Sequence, residues 1–284
     1  MMHLASKLRW RKRVLMDGRA FPLWQRVRHV LSVGPKRPLD ELLMSRLRRS
    51  QDQAEYFDMN GTRVYFRPSD HPVRDEQAMY RGAIQILKEA YVEPTSFFCH
   101  EVQIRPGDVV FDLGGNLGTS ATLFARLTGN RGRVYSFEPV YHELIERNVR
   151  ENGLSNVTVV PVAVADRSGE AEFAITDEGI DSRIDPNGRG GTRRLVPVTT
   201  IDDYCAREGI ARVDFIKMDI EGAEEPALRG GEKTIRTQRP RLSIASYHRD
   251  AGFGGDLQHP KLVKLLREWG LNLREVNQSH IFAW

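Results

Sequence analysis

Cysteine is scarce in this chain of 284 residues. The two cysteines, Cys99 and Cys205, lie far apart and form no C-x-x-C pair, which argues against a disulfide framework and against a cysteine metal site. The sequence also lacks an uninterrupted apolar stretch of ~18 residues and an apolar signal-peptide core near its start. We therefore expect a chain that does not span a membrane and that works in the cytoplasm.

Acidic residues are few in the first fifty positions. Thirteen lysines and arginines stand there against three acidic residues, a net charge of +10, whereas the rest of the chain carries −6. Tryptophan and aliphatic residues recur among these basic residues, which predicts a basic, helical N-terminal extension over residues 1–50. This extension either packs as a cap on the main domain or makes peripheral contact with an anionic membrane surface.

The remaining chain divides into two predicted parts. Residues 51–103 contain a hairpin signal at Asn60-Gly61 and helical patterns, so we expect an accessory hairpin with helices. Residues 104–284 alternate between short apolar runs and amphipathic stretches, which is typical of an α/β domain with a mostly parallel sheet.

The most informative stretch of that domain is a strand, a glycine turn and a helix. Residues 109–111 form an apolar run typical of a buried central strand, and Asp112 stands where the strand ends. Three glycines follow within residues 114–118, where they permit positive φ angles and a close approach of the backbone to a ligand. Either Thr119 or Ser120 is expected to cap the following helix.

The glycine spacing distinguishes between nucleotide cofactors. The dinucleotide fingerprint G-x-G-x-x-G is absent, and the turn instead has the pattern Asp-x-Gly-x-Asn-x-Gly from Asp112 to Gly118. This pattern resembles motif I of S-adenosylmethionine-dependent methyltransferases. A tight turn without any ligand is the alternative.

Acidic residues end two further predicted strands. Glu138 follows the strand at residues 133–137, and a carboxylate there can accept hydrogen bonds from both hydroxyls of a ribose. A third strand is expected over residues 157–164, with its edge, at Ala163, facing an adenine.

Several acidic side chains follow the fourth predicted strand, residues 214–218. They lie within residues 219–224, and the fifth strand, residues 241–247, ends at His248. Because the carboxyl ends of parallel strands meet at one edge of a sheet, these groups are expected to lie close together.

Four motifs in this order, DLGGNLG at 112–118, FEP at 137–139, TIDD at 200–203 and FIKMDIEGAE at 215–224, closely resemble the FkbM family of methyltransferases. The resemblance implies a Rossmann-like class I methyltransferase fold, with a mostly parallel seven-stranded sheet and an antiparallel last strand. It also implies that S-adenosylmethionine is the cofactor and that the methyl group goes to a hydroxyl of a glycan, a lipid-linked sugar or a polyketide-like secondary metabolite. The implied cofactor-binding residues are Asp112, Gly114, Gly115, Asn116, Gly118, Glu138, Ala163 and Asp219.

An alcohol is a poor nucleophile at neutral pH, so either a general base or a cation must lower its proton affinity. Asp219 and His248 are the leading candidates for the catalytic base, followed by Glu221. The same side chains together with Glu224 could instead hold Mg²⁺ or Mn²⁺. Catalysis by positioning alone is the third possibility. The prediction favours base catalysis without a metal.

Three other functions are alternatives to this one. An NAD-dependent oxidoreductase is disfavoured by the glycine spacing and by the lack of a Tyr-x-x-x-Lys pair. Specific nucleic-acid methylation is disfavoured because no Asn-Pro-Pro-Tyr element follows the fourth strand. A non-catalytic cofactor-binding module, recruited to a membrane or partner by its basic N-terminus, is the alternative outside enzymes. The sequence leaves the oligomeric state open.

Overall fold

The computed structural model describes residues 43–59, 61–67, 76–88, 90, 98, 102–175, 182–184, 192–249, 257–276 and 278–284. The predicted basic extension therefore lies almost entirely outside the described residues. In the described ranges, no helix combines the length and apolar character needed to cross a bilayer.

A small antiparallel sheet opens the described chain. Its elements are β1 (Leu47–Arg49), β2 (Glu55–Asp58) and β3 (Arg63–Tyr65), followed by α1 (Glu76–Leu87). β2 and β3 pair across a turn in which Gly61 has a φ of +85°, as the Asn-Gly signal predicts. The boundaries proposed at residues 50 and 103 stay predictions.

The larger part of the chain alternates between strands and helices. The strands are β4 (Val109–Leu113), β5 (Arg133–Phe137), β6 (Val157–Val160), β7 (Ala163–Val164), β8 (Gly169–Ile175), β9 (Ser182–Ile184), β10 (Thr192–Thr199), β11 (Phe215–Met218), β12 (Arg241–Ala245), β13 (Leu273–Val276) and β14 (His280–Ala283). The helices are α2 (Thr119–Thr128), α3 (His142–Glu151), α4 (Ile201–Glu208), α5 (Glu224–Gly230), α6 (Glu232–Gln238) and α7 (His259–Glu268).

Seven of these strands form the central sheet, in the order β13–β14–β12–β11–β4–β5–β6. β14 is antiparallel to its neighbours, and the remaining pairs are parallel. This arrangement confirms the predicted class I methyltransferase fold. β4 lies inside the sheet, between β11 and β5, and its apolar residues pack on both faces. Phe111 packs with Phe137 and Tyr204 on one face, and Val110 packs with Phe124 on the other.

The prediction of a single third strand over residues 157–164 is wrong. It divides at Pro161, which has no N–H to donate to a sheet. β6 before the proline belongs to the central sheet. β7 after it leaves that sheet and pairs in parallel with β10 in a second sheet of order β7–β10–β8–β9. Ala163 consequently lies in this second sheet.

A buried asparagine joins the small sheet to the main domain. The Asn148 carboxamide on α3 accepts a hydrogen bond from the Tyr65 N–H at 2.7 Å, and it donates to the carbonyls of Tyr65 at 2.9 Å and Leu117 at 2.7 Å. Asn152, one turn later, makes the same pair of bonds with the backbone of Arg63 at the surface.

We expect Asn148→Ala to lower the free energy of unfolding by about 2 to 4 kcal/mol, because it leaves buried backbone groups of β3 and Leu117 without partners. Asn152→Ala is the matched control. It should cost less than about 1 kcal/mol, since water can replace its exposed bonds. Chemical denaturation of both variants measures the difference, and equal losses would contradict the assigned role of Asn148.

Candidate active site

A cleft of about 820 Å³, including its open mouth, lies at the carboxyl ends of β4, β5 and β11. This is the edge at which open α/β sheets bind ligands. The structure brings most of the predicted site residues to its wall: Gly114, Gly115, Asn116, Glu138, Ala163, Asp219 and Glu221. Ile86 and Phe98, from the accessory segment, also line it, although no sequence pattern connects them with the site.

The glycines of the turn are required by contacts inside the protein. Gly114 has a φ of +83°, and a Cβ there would lie 2.0 Å from the carbonyl oxygen of Asp219. A Cβ on Gly115 would lie 2.3 Å from the Ser136 hydroxyl. Gly118 is the N-cap residue of α2. It packs against Ile145 of α3, behind the cleft wall. These glycines therefore let the tip of β4 pack against neighbouring strands and α3.

The predicted helix cap is wrong. α2 begins after Gly118, and neither Thr119 nor Ser120 caps it with its side chain. Ser120 is the second residue of the helix, and its hydroxyl donates instead to Asp112 at 2.8 Å. Both residues line the cleft.

Asp112 lies beneath the glycine turn. Its carboxylate is fully buried and accepts hydrogen bonds from Ser120 at 2.8 Å and Ser136 at 3.0 Å. Its other oxygen lies 3.4 Å from the ammonium group of Lys217. Asp112 does not line the cleft among the residues that the structure describes. Its contacts support a role in holding the turn, and direct contact with the cofactor stays a prediction.

Lys217 also lines the cleft. Its side chain on β11 is 3% exposed, and its ammonium group donates to the carbonyl of Gly114 at 2.6 Å. It also lies 5.5 Å from the centre of the Phe98 ring. A lysine inside an otherwise apolar strand was the only sequence signal. These contacts join β11 to the glycine turn after β4.

Glu138 is held rigidly in the cleft wall. Oε1 accepts from the N–H groups of Val140 at 2.9 Å and Tyr141 at 3.1 Å, and Oε2 from that of Asn116 at 3.0 Å. Burial raises the pKa of Glu138, and these three N–H groups oppose the rise. A carboxylate has about four acceptor positions. Oε2 therefore keeps capacity for a ligand hydroxyl.

Two carboxylates and an imidazole meet at the margin of the cleft. Nε2 of His248 lies 3.6 Å from Oδ1 of Asp219 and 3.5 Å from Oε2 of Glu221. Asp219 and Glu221 line the cleft, and His248 lies behind them. Glu221 has a φ of +54°, a left-handed conformation that is uncommon outside glycine and often marks functional sites.

Glu224 acts on this cluster through His248. It is fully buried and accepts from the N–H groups of Ile220 at 3.0 Å and Gly222 at 3.1 Å, and it lies 2.8 Å from Nδ1 of His248. Each of its oxygens therefore accepts at least one hydrogen bond. Gln258 stabilises the same loop. Its side chain donates a hydrogen bond to the Gly222 carbonyl and accepts one from the Glu225 N–H. Sequence patterns gave no indication of Gln258.

The acidic surroundings change the titration of His248. Burial lowers its pKa, but the bond to Glu224 and the charges of Glu224, Asp219 and Glu221 outweigh burial and raise the pKa to about 9. His248 without a bound cation is therefore protonated at neutral pH.

The cleft suits a ligand with a ribose and a flat aromatic base. Glu138 offers a buried acceptor in the wall, the glycine turn presents backbone groups, and Val162, Ala163 and Val164 supply an apolar surface at β7. These features fit S-adenosylmethionine, with its adenosine and amino acid portions.

The sequence matches the model of the methyltransferase FkbM domain over residues 112–273, which is more than half of the chain. The chain belongs to the FkbM methyltransferase family. It is accordingly an enzyme that uses S-adenosylmethionine as methyl donor, and the NAD-dependent alternative is set aside.

Two curated relatives of this FkbM-family enzyme cover much of its length. The 2-O-methyltransferase NoeI of Sinorhizobium fredii is 25% identical over 183 residues, which are 59% of this chain and 74% of that protein. The 31-O-demethyl-FK506 methyltransferase FkbM of Streptomyces tacrolimicus is 28% identical over 233 residues, 71% and 86% of the two chains. The crystal structure of methyltransferase FkbM from Methylobacillus flagellatus aligns with a TM-score of 0.48 at 19% identity, covering 87% of this chain and 58% of that one.

We expect Glu138→Gln to weaken S-adenosylmethionine binding by about 10- to 100-fold, because an amide puts a donor group where the ribose hydroxyls and backbone N–H groups need acceptors. Calorimetric titration measures the change. Asp166→Asn, which removes an exposed carboxylate just beyond β7, is the control and should bind like the wild type. An unchanged dissociation constant in Glu138→Gln would remove this residue from the cofactor site.

The raised pKa of His248 predicts a pH-dependent contribution to stability in chelator-treated protein. Because the folded pKa of about 9 lies above the ordinary value near 6.5, the contribution is complete below ~6.5 and is lost as the pH rises through about 9. The difference in unfolding free energy between wild type and His248→Gln should therefore shrink from pH 6 to pH 10. A difference independent of pH over this range would contradict the assigned titration.

Proposed function

We propose that this FkbM-family enzyme transfers the methyl group to a hydroxyl oxygen of a glycan or a polyketide-like secondary metabolite. The observation that carries the proposal is the cluster of Asp219, Glu221 and His248 at the margin of the cofactor cleft. A hydroxyl acceptor must lose a proton, and this cluster offers acceptor oxygens for it. The names of the two curated relatives, both of which transfer methyl groups to oxygen, support the same reaction class.

The cofactor side of the cleft is assigned to Gly114, Gly115, Asn116, Glu138 and Ala163, which line it. When bound there, S-adenosylmethionine supplies an activated methyl group on a sulfonium centre. The wall residues keep the cofactor in one orientation, and such alignment contributes several kcal/mol to methyl transfer.

We assign to Asp219 the role of the base that takes the proton of the acceptor hydroxyl. Its carboxylate lines the cleft, and its Oδ1 has no hydrogen-bond partner in the described part of the chain. On transfer, the acceptor oxygen would gain the methyl group as the methyl–sulfur bond breaks, and S-adenosylhomocysteine would be the leaving product. Asp219 would take the proton as the oxygen–hydrogen bond of the acceptor breaks. In the cation-free enzyme, the raised pKa of His248 disfavours that residue as the base at neutral pH. Its positive charge instead holds Asp219 and Glu221 together.

The acceptor class extends to lipid-linked hydroxyls, which the basic segment at residues 1–50 would help to reach through peripheral contact with an anionic membrane surface. Specific nucleic-acid binding is not part of the proposal. The cytoplasmic location stays a prediction, and the oligomeric state stays open.

We expect Asp219→Asn to lower methyl transfer by ~10² to 10⁴, the range for a positioned acid or base, while S-adenosylmethionine affinity stays nearly constant. Transfer of a labelled methyl group to glycans, lipid-linked sugars and polyketide alcohols identifies the acceptor and measures the loss. Glu225→Gln is the control, because Glu225 pairs with Arg229 outside the cluster.

Two outcomes would oppose the proposal. Full activity in Asp219→Asn would remove this residue as the proton acceptor. Methyl groups found on nitrogen or carboxylate, with none on hydroxyl oxygen, would overturn the reaction class.

A further inference from the structure

We propose that Asp219, Glu221 and His248 form a binding site for one divalent transition-metal cation, of which Mn²⁺ is the representative ion. The ligand atoms would be Oδ1 of Asp219, a carboxylate oxygen of Glu221 and Nε2 of His248. The role of the ion in the reaction rests on the proposed function, whereas the binding site itself does not.

The spacing of the three groups supports this assignment. One ligand atom from each residue lies within 4.8 Å of the other two. The contacts of Nε2 to Asp219 and Glu221, at 3.6 and 3.5 Å, are too long for hydrogen bonds. Atoms held ~2.1 Å from one ion stand about 3 to 3.5 Å apart. Small side-chain rotations would therefore bring all three onto one cation.

Two buried polar atoms in the cluster lack hydrogen-bond partners in the described part of the chain. Nε2 of His248 and Oδ1 of Asp219 have no hydrogen-bond partner within the described residues, and the His248 side chain is 8% exposed. Leaving such atoms unpaired is costly. A cation between them would satisfy both atoms at once.

The orientation of His248 is also that of a metal ligand. Nδ1 lies 2.8 Å from Oε1 of Glu224. Because a carboxylate accepts hydrogen bonds, Nδ1 carries a proton and donates a hydrogen bond to Glu224. Nε2 then faces the cluster. Metal-binding histidines almost always donate their second nitrogen to a carboxylate or carbonyl in this way. Glu224 is itself fixed by the N–H groups of Ile220 and Gly222. It thus orients the imidazole and is not one of the three ligands.

The ligand set indicates the class of ion. Two carboxylates suit hard cations, whereas an imidazole favours transition metals over Ca²⁺ and Mg²⁺, which prefer oxygen ligands. Because Asp219 and Glu221 line the cleft, free coordination positions would face the acceptor. An acceptor hydroxyl bound there loses its proton more easily. The second oxygen of Asp219 remains to receive that proton.

Manganese binding to the full-length protein tests the site directly. Free Mn²⁺ gives a strong electron paramagnetic resonance signal that falls on binding, so a titration counts the bound ions in the absence of S-adenosylmethionine. We expect one Mn²⁺ per chain, with weaker binding of Mg²⁺ and Ca²⁺ in competition. Glu221→Gln should weaken Mn²⁺ binding at least tenfold. The Glu221 side chain is 37% exposed, so this change is compatible with folding.

Two further variants sharpen the test. Glu224→Gln should weaken Mn²⁺ binding by about 10- to 100-fold through loss of the oriented imidazole, and Glu225→Gln should bind Mn²⁺ like the wild type. Absence of saturable binding by the wild type up to about 1 mM Mn²⁺, or equal binding by Glu221→Gln, would overturn the site.

The outcomes separate this site from the proposed function. Saturable binding that depends on Glu221, in a protein that methylates no hydroxyl acceptor, would support the site and oppose the function. Hydroxyl methylation that persists in excess EDTA, together with no Mn²⁺ binding, would support the function and overturn the site.

Discussion

The contact between the tips of β4 and β11 is the constraint on which the cleft depends. Gly114 lies so close to the Asp219 carbonyl that any side chain at position 114 would overlap with it. Lys217, two residues before Asp219, donates to the Gly114 carbonyl and is ion-paired with Asp112. The cofactor wall and the acidic cluster are consequently parts of one packed unit, so a shift of one would move the other.

Buried charge is concentrated in that unit. Asp112, Lys217, Glu138 and Glu224 are all almost completely enclosed. Each has short contacts to hydroxyls, backbone N–H groups or an opposite charge. Desolvating charged groups costs several kcal/mol even after pairing, so apolar residues would serve stability better at these positions. Their presence beside the cleft is expected of a site that must orient ligands and handle protons.

The two sides of the cleft differ in how they are supported. Glu138 is held by local contacts, since its partners Val140 and Tyr141 follow it directly in the chain and Asn116 lies in the adjoining turn. The acidic cluster depends on distant contacts, because His248 lies in the segment after β12 and Gln258 immediately precedes α7. The cluster is thus more sensitive to changes elsewhere in the fold.

The sequence by itself determined the order of strands and helices, the glycine turn and the acidic strand ends, because periodicity and turn chemistry act over a few neighbouring residues. From these the sheet edge with Glu138, Asp219 and His248 could be predicted. Only the tertiary structure decided that Asp112 faces Lys217 beneath the turn, that Ser120 bonds to Asp112 rather than capping α2, and that Glu224 orients His248. These contacts join side chains that are distant in the sequence but share a buried space. A pattern of neighbouring residues therefore does not predict them.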